Sequence, residues 1–164
     1  MKIELKNIKY AAFASEETHC FEATVYIDGK KSFGVSNDGH GGCDSYYPVK
    51  GGVDHPHNRL AEVDAILGLE EIPVSWDKDI TINNSLEIVV GDLMNEWLQE
   101  KEIKRILKRV CYTKKGAKKG EIYQLSAKFK PTAQTFDQLK KVAWWTPDCV
   151  LLNELPLAEV KQYL

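Results

Sequence analysis

Apolar and polar residues alternate through the first third of the chain. Within residues 21–27, Phe21, Ala23, Val25 and Ile27 fall on every second position, the period of a strand with one buried face. Asp28-Gly29 follows as a turn signal, and residues 31–35 resume the period with Phe33 and Val35. Loop length decides which residues face each other. A two-residue loop sets Val25 opposite Ser32 or Gly34. A three-residue loop, Asp28-Gly29-Lys30, pairs Ile27 with Lys31, Val25 with Phe33 and Ala23 with Val35, which gathers the apolar side chains on one face. That register places Phe21 opposite Asn37, with His19 and Cys20 beside the segment after Asn37. Residues 2–10 predict a further strand.

The period then lengthens. Leu60, Val63, Ile66 and Leu67 predict a short helix closed by Gly68. Asn84, with Glu87 three residues on, reads as a helix start. Leu86, Val89, Val90, Leu93, Trp97, Leu98, Ile103, Ile106 and Leu107 keep helical spacing over about 85–108. A hairpin follows from Val110, with a basic tip over 114–120 and a return strand whose Tyr123, Leu125, Ala127 and Phe129 share a face. Phe136, Leu139 and Val142 predict another short helix. Residues 149–152 suit a buried strand, and Asn153 reads as the cap of a terminal helix. The fold class is α+β: an N-terminal antiparallel β-hairpin or sheet, one long central helix, a basic β-hairpin and short C-terminal helices. The 164 residues are read as a single domain, 1–164.

Composition adds two constraints. No run approaches the roughly 18 apolar residues of a membrane span, and the N-terminal residues lack a signal peptide's apolar stretch, so a cytoplasmic chain with no membrane partner is expected. Cys20, Cys43, Cys111 and Cys149 form no CxxC pair, which reads as free thiols of a reducing compartment. The net charge of −2 hides a segregation: residues 101–120 hold nine Lys or Arg and one acid, Glu102. Such a region attracts a nucleotide, a nucleic acid or an acidic protein.

The segment with most chemistry is Ser36-Asn37-Asp38-Gly39-His40-Gly41-Gly42-Cys43. Its glycines allow close backbone approach to a ligand, and consecutive N–H groups can form an anion-binding nest; a tight surface turn is the structural alternative. It matches neither the P-loop nor the dinucleotide fingerprint. No G-x-S-x-G elbow accompanies its His-Gly-Gly, so the esterase reading fails. His55 and His57 flank Pro56 and, with His19, His40 and the cysteines, raise a metal site, but no pair has zinc-motif spacing. Cys43 near His19 or His40 raises an activated thiol, for which a small structural cysteine is the plainer reading. Lys114, Lys115, Lys118 and Lys119 crowd the hairpin tip, where Tyr112 and Tyr123 can stack on a base. Sequence-specific DNA binding is not favoured. Of Trp144 and Trp145, one is expected in the core and one over a groove.

The D-G-K-K turn, the S-N-D-G-H-G-G-C-D-x-Y-Y segment and the tail Val150-Leu151-Leu152-Asn153-Glu154-Leu155-Pro156 resemble small proteins carried by bacteriophages and prophages. The resemblance brings no established activity. It implies a bacterial host cell and an accessory role against host defence, exercised by blocking a defence protein or sequestering a nucleotide signal. The chain is accordingly read as a non-enzymatic binding protein for a nucleotide-like anionic ligand or a host protein. Asn37, Asp38, Gly39, His40, Gly41, Gly42, Lys114 and Lys115 are the binding residues, with no cofactor or metal and with homo-oligomerisation open. A small metal-assisted hydrolase centred on Asp38 and His40, and a pure protein–protein inhibitor, are the alternatives.

Overall fold

The computed structural model describes residues 1–74 and 77–164. Its contacts fall into two compact units, residues 1–95 and 96–164, so the single domain expected over 1–164 is organised in two parts. The charge segregation follows that division. The first unit carries 8 basic and 16 acidic residues, and the second 14 basic and 8 acidic.

In unit 1, β1 (Ile3–Tyr10), β2 (Phe21–Ile27), β3 (Lys30–Asn37) and β4 (Ser45–Tyr47) form an antiparallel sheet in chain order. Val25 pairs with Phe33, Ala23 with Val35 and Phe21 with Asn37, as the shared apolar face requires. The turn differs from the expected three-residue loop. Ile27 pairs with Lys30 around Asp28 and Gly29, and a bulge between Val25 and Tyr26 absorbs the odd residue. Both turn residues have positive φ (48° and 78°), the backbone of a two-residue hairpin whose twist matches its strands. The bulge lets this preferred turn and the one-sided apolar pattern coexist.

A helix, α1 (Pro56–Leu67), lies against β4, and β5 (Glu71–Pro73) pairs with β6 (Thr81–Asn83). The long helix α2 (Leu86–Ile106) starts one residue later than its cap signal suggested. The Ile88 N–H reaches the Ser85 hydroxyl at 3.4 Å, whereas Asn84 accepts from Ser85 N. Leu86 N donates to Asp64 of α1 at 2.7 Å. Buried apolar residues of unit 1 come from β2 and β3, from Val63 of α1, from Val74 after β5 and from Leu86, Val90 and Met94 of α2.

In unit 2, β7 (Cys111–Lys114) is the central strand, flanked by β8 (Tyr123–Gln124) and β9 (Cys149–Leu151), with α3 (Ala133–Leu139) and α4 (Leu157–Val160) completing the unit. Alternation along β7 feeds two cores. Cys111 clusters with Ile103, Leu152 and Val160, while Tyr112 packs on Val110, Leu139 and Leu151 together with Phe136 and Trp145. The return strand is shorter than its apolar pattern implies. Residues 126–129 turn instead, leaving Phe129 52% exposed. Asn153 is not a helix cap; α4 begins after Pro156. Among the described residues no helix is long and apolar enough to cross a membrane.

Candidate functional site

Asn37 ends β3, is only 9% exposed, and organises the loop that follows. Its Oδ1 accepts from Thr18 Oγ1 at 2.6 Å and from Gly39 N at 2.9 Å. Its Nδ2 donates to the Gly42 carbonyl at 2.8 Å and to Asp44 Oδ1 at 3.0 Å. The Gly39 carbonyl in turn accepts from the N–H groups of Glu16, Glu17 and Thr18 at 2.9–3.2 Å. The glycine loop is thus stitched to the β1–β2 connection, where the register placed His19 and Cys20. Gly39 has φ +91°, and a Cβ there would sit on the Ala14 carbonyl, so both conformation and space require glycine.

These bonds alter the expected chemistry. The Gly39, His40 and Gly41 N–H groups, the proposed nest, reach Asn37 Oδ1, Asp38 Oδ1 and Thr18 Oγ1. They serve the fold and are not offered to an anion. Asp38 closes an Asx turn on His40, whose Nδ1 stands 3.5 Å from Glu16 on an exposed edge.

Beneath the loop lies a cavity of about 500 Å³ lined by Tyr10, Ser15, Glu16, Glu17, Thr18, His19, Phe21, Asn37, Gly42 and Asp44, and by Glu87, Gly91 and Met94 of α2. Its lining has four carboxylates and, among the described residues, no lysine or arginine. His19 stands edge-on to Tyr10 at 5.9 Å, and its Nε2 lies 2.9 Å from Asn95 Oδ1. Asp44 N donates to Glu87 Oε1 at 3.3 Å. These two acids also border a second cavity of about 490 Å³, which adds Tyr46, His57, Asp64 and Ser85. The Tyr46 hydroxyl is buried there without a hydrogen-bond partner among the described residues. Burial, and then the charges of Asp44, Glu87 and Asp64, push its pKa upward.

Asp44 titrates upward from its ordinary 3.8, first because burial disfavours the carboxylate and further because Glu87 repels it, against the opposing bond from Asn37. A folded pKa above the unfolded one means that the unfolded chain releases this proton first. This group therefore costs stability as pH rises from 3.8 through its folded pKa, and costs nothing well below 3.8. Asp44→Asn keeps the acceptor for Asn37 and removes the titration. The expected result is a variant whose unfolding midpoint gains on wild type as pH rises through that window; parallel midpoint–pH curves would refute it.

The structure brings Asn37, Asp38, Gly39, His40, Gly41 and Gly42 together in unit 1, while Lys114 and Lys115 are exposed in unit 2. The combined glycine-and-lysine site of the sequence reading therefore draws on two separate units. His55 immediately precedes α1, and His57 borders the second cavity. Among the described residues, no three His, Cys, Asp or Glu side chains converge to hold a metal ion. The four cysteines are free. Sequence reasoning missed Glu16, Glu17, Asp44 and Glu87 as neighbours. The register that carried His19 to the loop gave the only signal for the first two, and nothing local linked Glu87 to Asp44. Comparison of the chain with models of known protein families, with curated proteins and with solved structures finds no match.

Proposed function

We propose that this chain is a non-enzymatic binding protein, an accessory factor of the kind the phage resemblance implies, which engages a basic segment of a host protein in the cleft of unit 1. One observation carries the reading: a cavity large enough for a side chain and its neighbours holds Glu16, Glu17, Asp44 and Glu87 and, among the described residues, no lysine or arginine. An entering guanidinium or ammonium finds acceptors there, with Tyr10 and Phe21 to cover its aliphatic stem. A phosphate entering the same space meets repulsion from each carboxylate, of order 1–4 kcal/mol at contact in a partly wet site. The glycine loop, with the Gly39, His40 and Gly41 N–H groups engaged by Asn37, Asp38 and Thr18, supplies the rim.

The test is calorimetric titration of the full chain with an octapeptide alternating arginine and glycine. Saturable, salt-sensitive binding is expected, weakened roughly threefold to tenfold by the double substitution Glu16→Gln/Glu17→Gln. Asp54→Asn/Glu62→Gln changes the net charge equally outside the cleft and should leave affinity nearly unchanged. Equal weakening by both doubles would show that bulk charge, and not the cleft, attracts the peptide.

A further inference from the structure

Unit 2 carries a second surface, of opposite charge and different chemistry. We propose that the Tyr112–Tyr123–Trp144–Trp145 cluster, with the lysines of the adjoining hairpin tip, is a stacking platform for a nucleobase bearing a phosphate. Tyr112 stands at its centre. Its ring is stacked on Tyr123 at 5.2 Å and 21°, and it lies 5.4 Å from Trp144 and 5.6 Å from Trp145; the tryptophans are 6.0 Å apart. Only the inner side of this cluster is consumed by the fold. Tyr112 and Trp145 pack on Val110, Leu139 and Leu151, whereas Tyr123 remains 40% and Trp144 49% exposed. Open aromatic faces beside a rigid ring are what a base needs, because stacking is tolerant of base identity and rewards preset geometry. The Tyr123 hydroxyl donates to Glu121 at 2.6 Å, which fixes the outer ring.

The cations are distributed to match. Elsewhere in unit 2, Lys104, Arg105 and Lys140 are engaged by Glu100, Glu102 and Glu154. Lys114, Lys115, Lys118 and Lys119 are exposed, and none forms an ion pair among the described residues. Lys114 lies two positions after Tyr112 on β7 and so shares its face of the strand. Lys115 is anchored by its N–H to the Asp148 carbonyl at 2.8 Å. An ammonium on a mobile stem can meet a phosphate attached to a base held by the rings. The same chemistry is offered by a free nucleotide and by a single strand. The site is independent of the acidic cleft, and either can fail alone.

The full chain is titrated calorimetrically with AMP, with pentathymidylate, with adenosine and with inorganic phosphate. Saturable binding of AMP or of the oligonucleotide is expected. Tighter binding per base of the strand names the strand as the natural source, and tighter binding of AMP names the free nucleotide. Trp144→Ala should weaken the bound probe roughly fivefold to a hundredfold, with Trp144→Phe recovering most of it and circular dichroism unchanged. Lys114→Gln/Lys115→Gln should weaken it and flatten its salt dependence. The proposal is overturned if neither probe saturates. It is overturned equally if Trp144→Ala and Tyr123→Ala bind as wild type does, or if inorganic phosphate competes as well as AMP.

Discussion

Gly39→Ala is expected to destabilise the chain by about 3–5 kcal/mol, while Gly42→Ala, three residues away in the same loop, stays within about 0.5 kcal/mol of wild type. The asymmetry follows from backbone and neighbours. Gly39 is held at φ +91°, and an L-residue there costs roughly 1–2 kcal/mol before any contact is counted. Its new methyl would then fall on the Ala14 carbonyl, a backbone atom that cannot swing aside. Relief requires moving one loop from the other. That loosens the three N–H bonds to the Gly39 carbonyl and the bond from Gly39 N to Asn37, each worth about 1 kcal/mol net. A Cβ on Gly42 meets nothing within 4 Å, at an ordinary φ. Urea denaturation of both variants with an unchanged m-value decides the matter, and comparable mild losses would refute the claim. Gly41 has φ +86° and faces the movable Glu17 carboxylate, so Gly41→Val also costs folding free energy. A loss of binding in that variant therefore says nothing by itself about ligand contact.

Much of unit 1 was legible because strand period and turn chemistry constrain each other. One-sided burial demanded Val25 opposite Phe33, and that demand survived a change of loop length, since a bulge could supply the missing residue. The neighbourhood of His19 and the glycine loop followed from the same register. The electrostatic character of the site did not. Glu87 meets Asp44 across 43 residues, through a helix whose placement no local period encodes. Whether an N–H group is free or spoken for is likewise a tertiary fact: the Gly39 and Gly41 amides look available in sequence until Asn37 and Thr18 arrive.

The glycines and lysines that seemed to build one anion site belong to different units and differ in chemistry. Each unit keeps a coherent set. Acids, a histidine and hydrogen-bonded loop amides belong to the first, and stacked rings with lysines that form no ion pair among the described residues to the second. A chain divided 8 against 16 and 14 against 8 in its basic and acidic residues presents two fields of opposite sign.

Asn153→Ala is expected to cost unit 2 about 2–4 kcal/mol, far beyond an exposed polar truncation. Sequence placed this residue at a helix start, where its loss would remove one cap. The structure gives it three backbone partners from an earlier part of the chain. Its Oδ1 accepts from Cys111 N at 2.7 Å, and its Nδ2 donates to the Leu107 and Arg109 carbonyls at 3.0 and 2.9 Å. Those carbonyls close the end of α2, and that N–H opens β7, so one amide fixes the corner between helix and strand. Cys111 is fully buried, and water has poor access to replace the lost acceptor. Asn153→Asp separates the roles. It keeps the acceptor for Cys111 N but sets a carboxylate against two carbonyl oxygens, so it should be at least as damaging at neutral pH and partly relieved in acid, where the protonated carboxyl regains one donor. Glu154→Gln, which loosens the exposed pair with Lys140, should cost under about 1 kcal/mol. Hydrogen exchange at the Cys111 amide, read beside the unfolding midpoints, tests the corner directly. Protection retained in Asn153→Ala would mean that the strand start is held by packing alone, and the side-chain clamp would then be incidental.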